Sequence, residues 1–425
     1  MKILYLHQYF NTLRDIGGTR SYEIAKRLVA RGHEVNMVTS VRTESPDAPT
    51  PGSMPYRRPS YVTNEDGICV HWLTVPYSNS MTYPRRIRAF SHFALRAALE
   101  AASIDNDVVF ATSTPLTVAI PAVVAQRRHH SPMVFEVRDL WPEVPILIGA
   151  IKGRVSITLA QWLERFAYRH AQQIVALSPG MRDGIVRCGY PAERVSIIPN
   201  FAHLDLFSVP PEEGWAFRSR HDWLQDRPLV VYAGTLGRAN DVGYLARVAA
   251  AMRDLWPEVR FLVVGTGFEE TLIRDLAQQL GVLNRNFVMM EPIPKSMVPA
   301  LLSAASVATS LFADNPAFWA NSANKFFDAL AAGVPIAINY QGWQADLIKE
   351  SGCGLVMPVQ DPQQAAVLLR DLLMDHNRLR RAGEAAHLVA TTRYHPDTVV
   401  DQFERVLIEA SAAGRSAGWK PVAAS

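Results

Sequence analysis

Cysteine is nearly missing from this chain of 425 residues, which holds only Cys69, Cys188 and Cys353, far apart and odd in number. That excludes a disulfide framework and any cysteine-based metal cluster of known spacing, and it fits a reducing compartment. Long apolar runs are missing too. No stretch reaches the ~18 residues a membrane-spanning helix needs, and the nearest, 144–163, is broken by Lys152 and Arg154. An excess of charge is also lacking, and a net +3 is too weak to point to nucleic acid as a partner. The opening Met-Lys-Ile-Leu-Tyr-Leu-His is apolar for a few residues only and has no small-residue cleavage site, so it reads as a first strand and not as a signal peptide. What is present is a globular composition long enough for two cores.

Strand, glycine loop and helix open the chain. An apolar run at 3–6 ends at His7, Gly17 and Gly18 follow in a loop, helical spacing runs over 20–30, and a second strand occupies 34–38. This is the start of a doubly wound α/β domain, whose ligands bind beyond the carboxyl ends of the strands. His7, Gly17 and Gly18 fall on that edge, although a bare Gly-Gly pair is equally a turn without a ligand. Residues 43–66, rich in Pro, Ser and Thr and carrying Arg57 and Arg58, read as a long loop. A strand is expected at 69–75 and a helix at 84–100, with Arg85, Arg86 and Arg88 crowding its first turns against the helix dipole. Their presence there points to an anionic neighbour, lipid headgroups or a diphosphate, or else to a solvated basic turn. Asp105-Asn106-Asp107 has a metal-binding form but precedes the strand at 108–111, at the wrong edge for a site, so no metal is expected there. After the strand at 133–137 come Arg138 and Asp139, again at a carboxyl end, placed to stabilise phosphate charge and to orient a hydroxyl. Residues 202–227 have linker composition, with Pro210 and Pro211. Then the pattern restarts with a strand at 229–233, a loop from Gly234 to Arg238 and a helix at 242–252.

Within this second half, Asn-Ser-Ala-Asn-Lys-Phe-Phe-Asp-Ala-Leu-Ala-Ala-Gly-Val-Pro at 321–335 reads as one short helix. Ser322 or Asn324 can cap it, and Gly333 with Pro335 stops it. Asn324, Lys325 and Asp328 share the side opposite Phe327 and Leu330. A free helix start beside a lysine attracts anions, and a carboxylate one turn further in can accept from two neighbouring hydroxyls, as a ribose offers. The alternative is an exposed Lys325–Asp328 ion pair on an ordinary helix.

The order of these motifs resembles glycosyltransferase family 4, retaining enzymes of the GT-B fold. The resemblance extends over most of the chain and is nearest to the bacterial branch that adds aminosugars such as N-acetylfucosamine to O-antigen and capsule. It is carried by Leu6-His7-Gln8-Tyr9-Phe10, Gly17-Gly18-Thr19-Arg20, Arg138-Asp139-Leu140-Trp141-Pro142 and Pro199-Asn200. It implies two Rossmann-like domains facing a central cleft: 1–201, joined by a returning helix near 398–410, for the acceptor, and 228–397 for the nucleotide sugar, with 202–227 as linker and 412–425 as a frayed tail. Gly17, Gly18 and His7 then form the acceptor and phosphate loop. Arg238 grips the donor diphosphate together with Asn324, Lys325 and the Gly234 loop, while Asp328 takes the place of the second acid of the family's Glu-x7-Glu pattern and holds the ribose. Arg138, Asp139 and Arg238 are the implied catalytic set.

The resemblance implies a metal-independent, cofactor-free transfer from a nucleotide-diphosphate sugar, UDP-linked, to a lipid-diphosphate-linked saccharide at the cytoplasmic membrane surface. Membrane contact is expected from Arg85, Arg86 and Arg88 and the apolar 144–151. Three departures stand out. The first acid of the pair is Ala320, the family's lysine after the arginine falls near Val242 and is replaced by Lys325, and the usual His-Asp of the first domain reads Arg138-Asp139. Two rival readings remain, a nucleotide-sugar 2-epimerase on the same fold and a non-catalytic scaffold.

Overall fold

Short runs rich in Val, Ile, Leu and Phe, buried almost throughout in the central strands, make two sheets that are parallel but for one edge strand. A computed structural model describes residues 1–41, 59–77, 81 and 83–417 of the chain. Two units result: Met1–Pro199 with the chain from Asp397 onward, and Asn200–Pro396. Arg57 and Arg58, and the tail beyond 417, lie outside the described residues.

The first sheet contains β1 (Lys2–Leu6), β2 (Glu34–Ser40), β3 (Ser60–Glu65), β4 (Ile68–Leu73), β5 (Val108–Thr112), β6 (Met133–Val137), β7 (Gln173–Ala176) and β8 (Val195–Ile197). Their order is β3-β4-β2-β1-β5-β6-β7-β8, all parallel except β3, which pairs antiparallel with β4. The strand order reverses between β1 and β5, so a crevice opens beyond their carboxyl ends. His7 ends β1, Ser113 and Thr114 follow β5, and Arg138 and Asp139 follow β6. The helix Pro396–Ala417 completes this unit. Phe403 packs edge-on against Phe110 of β5 at 4.6 Å between centroids, and Glu404 takes Arg31 at 2.7 Å and His33 at 2.6 Å.

The second sheet contains β9 (Leu229–Ala233), β10 (Arg260–Val264), β11 (Phe287–Met290), β12 (Val307–Ser310), β13 (Ile336–Ile338) and β14 (Gly354–Val356). All are parallel, in the order β11-β10-β9-β12-β13-β14, with the switch between β9 and β12. The loop after β9 starts at Gly234, and the helix Asn324–Ala331 follows β12.

Three expectations change. The edge strand β3 lies inside the stretch read as loop, at 43–66; its side chains alternate between half-buried and exposed and gave little apolar signal. Residues 202–227 carry the helices Leu204–Phe207 and Pro211–Ser219 and belong to the second unit. Pro211 stands at the first turn of its helix, where a proline's missing N–H costs nothing. Gly214 lies so close to Ser303 that a Cβ would meet the Ser303 backbone at 2.6 Å, which is core packing and not linker behaviour. Finally, neither Ser322 nor Asn324 caps the helix Asn324–Ala331; its cap residue is Ala323, with no side-chain bond to the exposed N–H groups. Asp105 and Asp107 do stand at the amino end of β5, where they bind Lys2.

Candidate functional site

Each unit presents one cluster of polar groups at its switch point. In the second unit the helix Asn324–Ala331 is held on all sides. Phe326, Phe327, Ala329 and Leu330 are fully buried, Phe327 packs at a tilt on Trp343 and edge-on against Tyr394, and Trp343 Nε1 donates to Asn321 O at 3.1 Å. Gly333 at φ +63° closes the helix as expected. Such packing fixes a helix start whose first N–H groups have no side-chain cap, an arrangement suited to an anion.

The lysine and the aspartate of this helix do not pair with each other. Lys325 Nζ lies 3.2 Å from the Tyr232 hydroxyl and 4.7 Å from that ring's centre. Burial pushes its ammonium down to about 8, with Asp328 pulling partly back. Asp328 is buried and receives Lys295 Nζ at 2.6 Å on Oδ2. Its other oxygen, Oδ1, is buried and accepts no hydrogen bond from the protein. Lys295 is itself buried and sits 5.1 Å above the Phe207 ring. Half of a fixed carboxylate is thus engaged, and the other half keeps its hydrogen-bonding capacity unused by the protein.

Lys295 was not foreseen. It lies in a single 3-10 turn, Lys295–Met297, 33 residues before its partner, and a lone lysine between Ile-Pro and Ser-Met carries no local signal. Gly234 packs so closely under Lys325 that a Cβ there would meet Lys325 Cε at 2.8 Å, which explains the glycine. Arg238 lies with its guanidinium 4.7 Å above the Phe268 ring, beside Glu269. Asn324 heads the helix, half-buried. Asn200, buried, donates to Ser322 O at 2.6 Å and ties the start of this unit to the turn before the helix.

In the first unit His7 is buried, with Nδ1 2.7 Å from Ser21 Oγ and Nε2 3.5 Å from Arg138 Nη1. Arginine can only donate, so Nε2 faces it with a lone pair and Nδ1 carries the proton toward Ser21. Burial, reinforced by Arg138, lowers the imidazole well below its usual range, so it is neutral at pH 7. Asp139 accepts from Thr114 Oγ1 at 3.2 Å; burial raises its carboxyl, while Arg138 and Thr114 pull it back. The side-chain amide of Gln8, beside them, is buried and has no hydrogen-bond partner on either atom. Arg20, from the Gly-Gly-Thr-Arg motif, is not at the surface. It is almost fully buried, pairs with Glu136 at 2.8 Å and donates to the carbonyls of Ile198 and Pro199. Gly17, at φ +117°, and Gly18 lie at the surface of the loop before it. His7, Arg138 and Asp139 therefore come together in one unit, and Gly234, Lys325 and Asp328 in the other.

Comparison with known proteins agrees with these two units. Residues 17–200 match the Glycosyl transferase 4-like domain family and residues 214–389 match Glycosyl transferases group 1. An alpha-D-kanosaminyltransferase of Streptomyces kanamyceticus is 23% identical over 257 residues, 60% of this chain. The match spans 65% of that enzyme's own length. Among solved structures, sucrose-phosphate synthase from Thermosynechococcus elongatus superposes with a TM-score of 0.75 at 16% identity, covering 97% of this chain and 99% of that one. HepE of Anabaena, solved with UDP-glucose, gives 0.72 at 18% identity, covering 96% of this chain and all of that one. At these identities the structural likeness establishes the fold. No helix among the described residues is long and apolar enough to cross a membrane.

Proposed function

Because the chain belongs to the glycosyltransferases of family 4 and the GT-B fold, we propose that it transfers an N-acetylated aminosugar from a UDP-linked donor to a lipid-diphosphate-linked saccharide, with retention, in bacterial surface polysaccharide synthesis. The observation that carries this reading is Asp328. Its Oδ2 is fixed by Lys295, and its buried Oδ1 has no hydrogen-bond donor from the protein, one turn inside an uncapped helix start. A nucleoside diphosphate fits that pair of features, its ribose hydroxyl donating to Oδ1 and its phosphates meeting the helix N–H groups and Lys325. Arg238 adds positive charge for the leaving diphosphate, so the reaction proceeds without a metal. HepE was solved with UDP-glucose and the Streptomyces relative is named for a kanosaminyl group, which favour UDP and an aminosugar.

His7, Arg138 and Asp139, with Gly17 and Gly18, are assigned to the acceptor and its diphosphate. The acceptor hydroxyl, oriented by Asp139, bonds to the anomeric carbon on the face where that carbon's bond to the diphosphate oxygen breaks; its proton passes to the departing phosphate oxygen, and Arg138 stabilises phosphate charge. A lipid-linked acceptor places the enzyme peripherally at the inner face of the cell membrane.

Thermal unfolding in EDTA with UDP, GDP, dTDP and CMP tests the donor half of this reading. UDP at about a hundred times its dissociation constant adds roughly 2.7 kcal/mol, and Asp328→Ala removes about 1.5–3 kcal/mol of that binding. An unchanged UDP shift in Asp328→Ala, or no nucleotide shift in the wild type, rejects the site.

A further inference from the structure

Three helices of the first unit, Tyr83–Ser103, Ala119–His129 and Arg154–His170, pack against its sheet, and the middle one touches both of its neighbours. Their inward residues, among them Phe93, Ala97, Ala122, Ala125 and Ala167, are fully buried. Their outward residues are not what a soluble surface ordinarily carries. Leu95 and Leu99 are 65% and 72% exposed, one turn apart. Val155, Leu159 and Trp162 are 83%, 62% and 56% exposed at spacings of four and three, a single stripe along the third helix. Trp162 stacks on Phe166 of the same helix.

The charge of this layer is as uneven as its polarity. The three helices hold nine arginines and two glutamates, no lysine and no aspartate. That is a surplus of seven positive charges in a chain whose net charge is +3, so the remainder is net −4. The two glutamates offset little of the surface charge. Glu100 is bound to His71 at 2.8 Å and Glu164 is buried. Exposed apolar stripes interleaved with arginine, and a tryptophan among them, are the chemistry of a surface that meets anionic lipid, with apolar side chains in the acyl boundary and guanidinium groups at the headgroups.

We infer that this three-helix layer is a docking face for an anionic lipid bilayer, an inference that rests on the membrane placement proposed above and gives it a surface. The face differs from the segment 144–151 that the sequence pointed to. There Pro145 and Ile151 are buried, and Leu147 alone of the large apolar side chains is exposed. It includes Arg85, Arg86 and Arg88, whose position against the dipole of the first helix is then explained. A second copy of the chain is a poorer occupant, because two such faces would bring like charges together.

The test uses the full chain and vesicles of phosphatidylcholine alone or mixed with phosphatidylglycerol. Sedimentation with the anionic vesicles at low salt, and not with the neutral ones, is expected, with loss in high salt. The variant Arg154→Glu/Arg165→Glu/Arg169→Glu should bind at least a hundredfold more weakly, at roughly fivefold per arginine neutralised, and Leu159→Ser/Trp162→Ser should weaken binding even at low salt. Both variants should unfold at the wild-type temperature and keep their UDP shift, which shows that folding and the donor site are intact. Wild-type binding that ignores lipid charge, variants that bind like wild type, or a wild-type dimer that Leu159→Ser/Trp162→Ser splits would each overturn the assignment. The UDP shift on the same samples reads the donor assignment separately.

Discussion

At the scale of single residues, the proposed donor site rests on two lysines with different tasks. Lys295 fixes Asp328; Lys325 waits beside the helix start. Lys295→Met leaves a buried carboxylate without its partner and should cost about 3–5 kcal/mol in urea unfolding. Adding Asp328→Leu to that variant should restore most of the loss while UDP binding stays abolished, which separates the stability role from the ligand role. Lys325 gives a pH signature. Its folded value, about 8, lies below the ordinary 10.5, so the unfolded chain holds this proton more tightly. Stability through this group therefore rises as pH climbs between those values and is reduced below them. Binding runs the other way: UDP affinity measured by titration calorimetry should fall as pH rises through about 8, and Lys325→Met should flatten that dependence. Of these residues Asp328 and Lys325 were legible, because both sit on one amphipathic stretch with its stop signal. Lys295 was not, since a contact 33 residues away leaves no periodic trace. The pairing of Lys325 with Tyr232, and of Arg20 with Glu136, was hidden for the same reason.

At the scale of elements, β9 and β10 show how closely the backbone is drawn in beside the donor site. A Cβ on Gly265 would fall onto the carbonyl oxygen of Gly234, a backbone atom that cannot move aside, whereas a Cβ on Gly234 clashes only with the movable end of Lys325 and otherwise meets the Tyr232 hydroxyl at ordinary contact distance. Gly265→Ala should therefore lose about 3 kcal/mol or more of stability. Gly234→Ala should fold, yet bind UDP more weakly, because it displaces the ammonium; chemical unfolding and nucleotide titration on the two variants check the contrast. The parallel strands were readable from sequence as short apolar runs, and the helices Arg20–Ala30 and Pro179–Arg187 fall where their spacing put them. What escaped was marginal by the same criteria. The strand β3 is half exposed and pairs with a neighbour only through its backbone and a few contacts such as Tyr61 on Trp72. The helix Pro211–Ser219 begins with the prolines that made the stretch look like a linker.

At the scale of the whole molecule, the two units have separate cores but unequal continuity. The second is one uninterrupted segment, while the first is split, its sheet at one end of the sequence and the helix Pro396–Ala417 at the other. Phe403→Ala removes a fully buried ring from the first unit and should cost about 3–5 kcal/mol there. Calorimetry should show that loss in one transition only, with the UDP-dependent transition of the second unit unmoved. The two-unit plan itself was visible in the restart of the strand, loop and helix pattern at β9. The division has a further meaning for how the chain is made. During synthesis the eight strands of the first sheet emerge early, yet the ring that covers Phe110 and the carboxylate that holds Arg31 arrive only after residues 200–396 have passed. The second unit, emerging after the first sheet, can still close before that sheet is complete. Until then the unit that carries His7, Arg138 and Asp139 waits, with an apolar face uncovered, for a helix that the ribosome has not yet released.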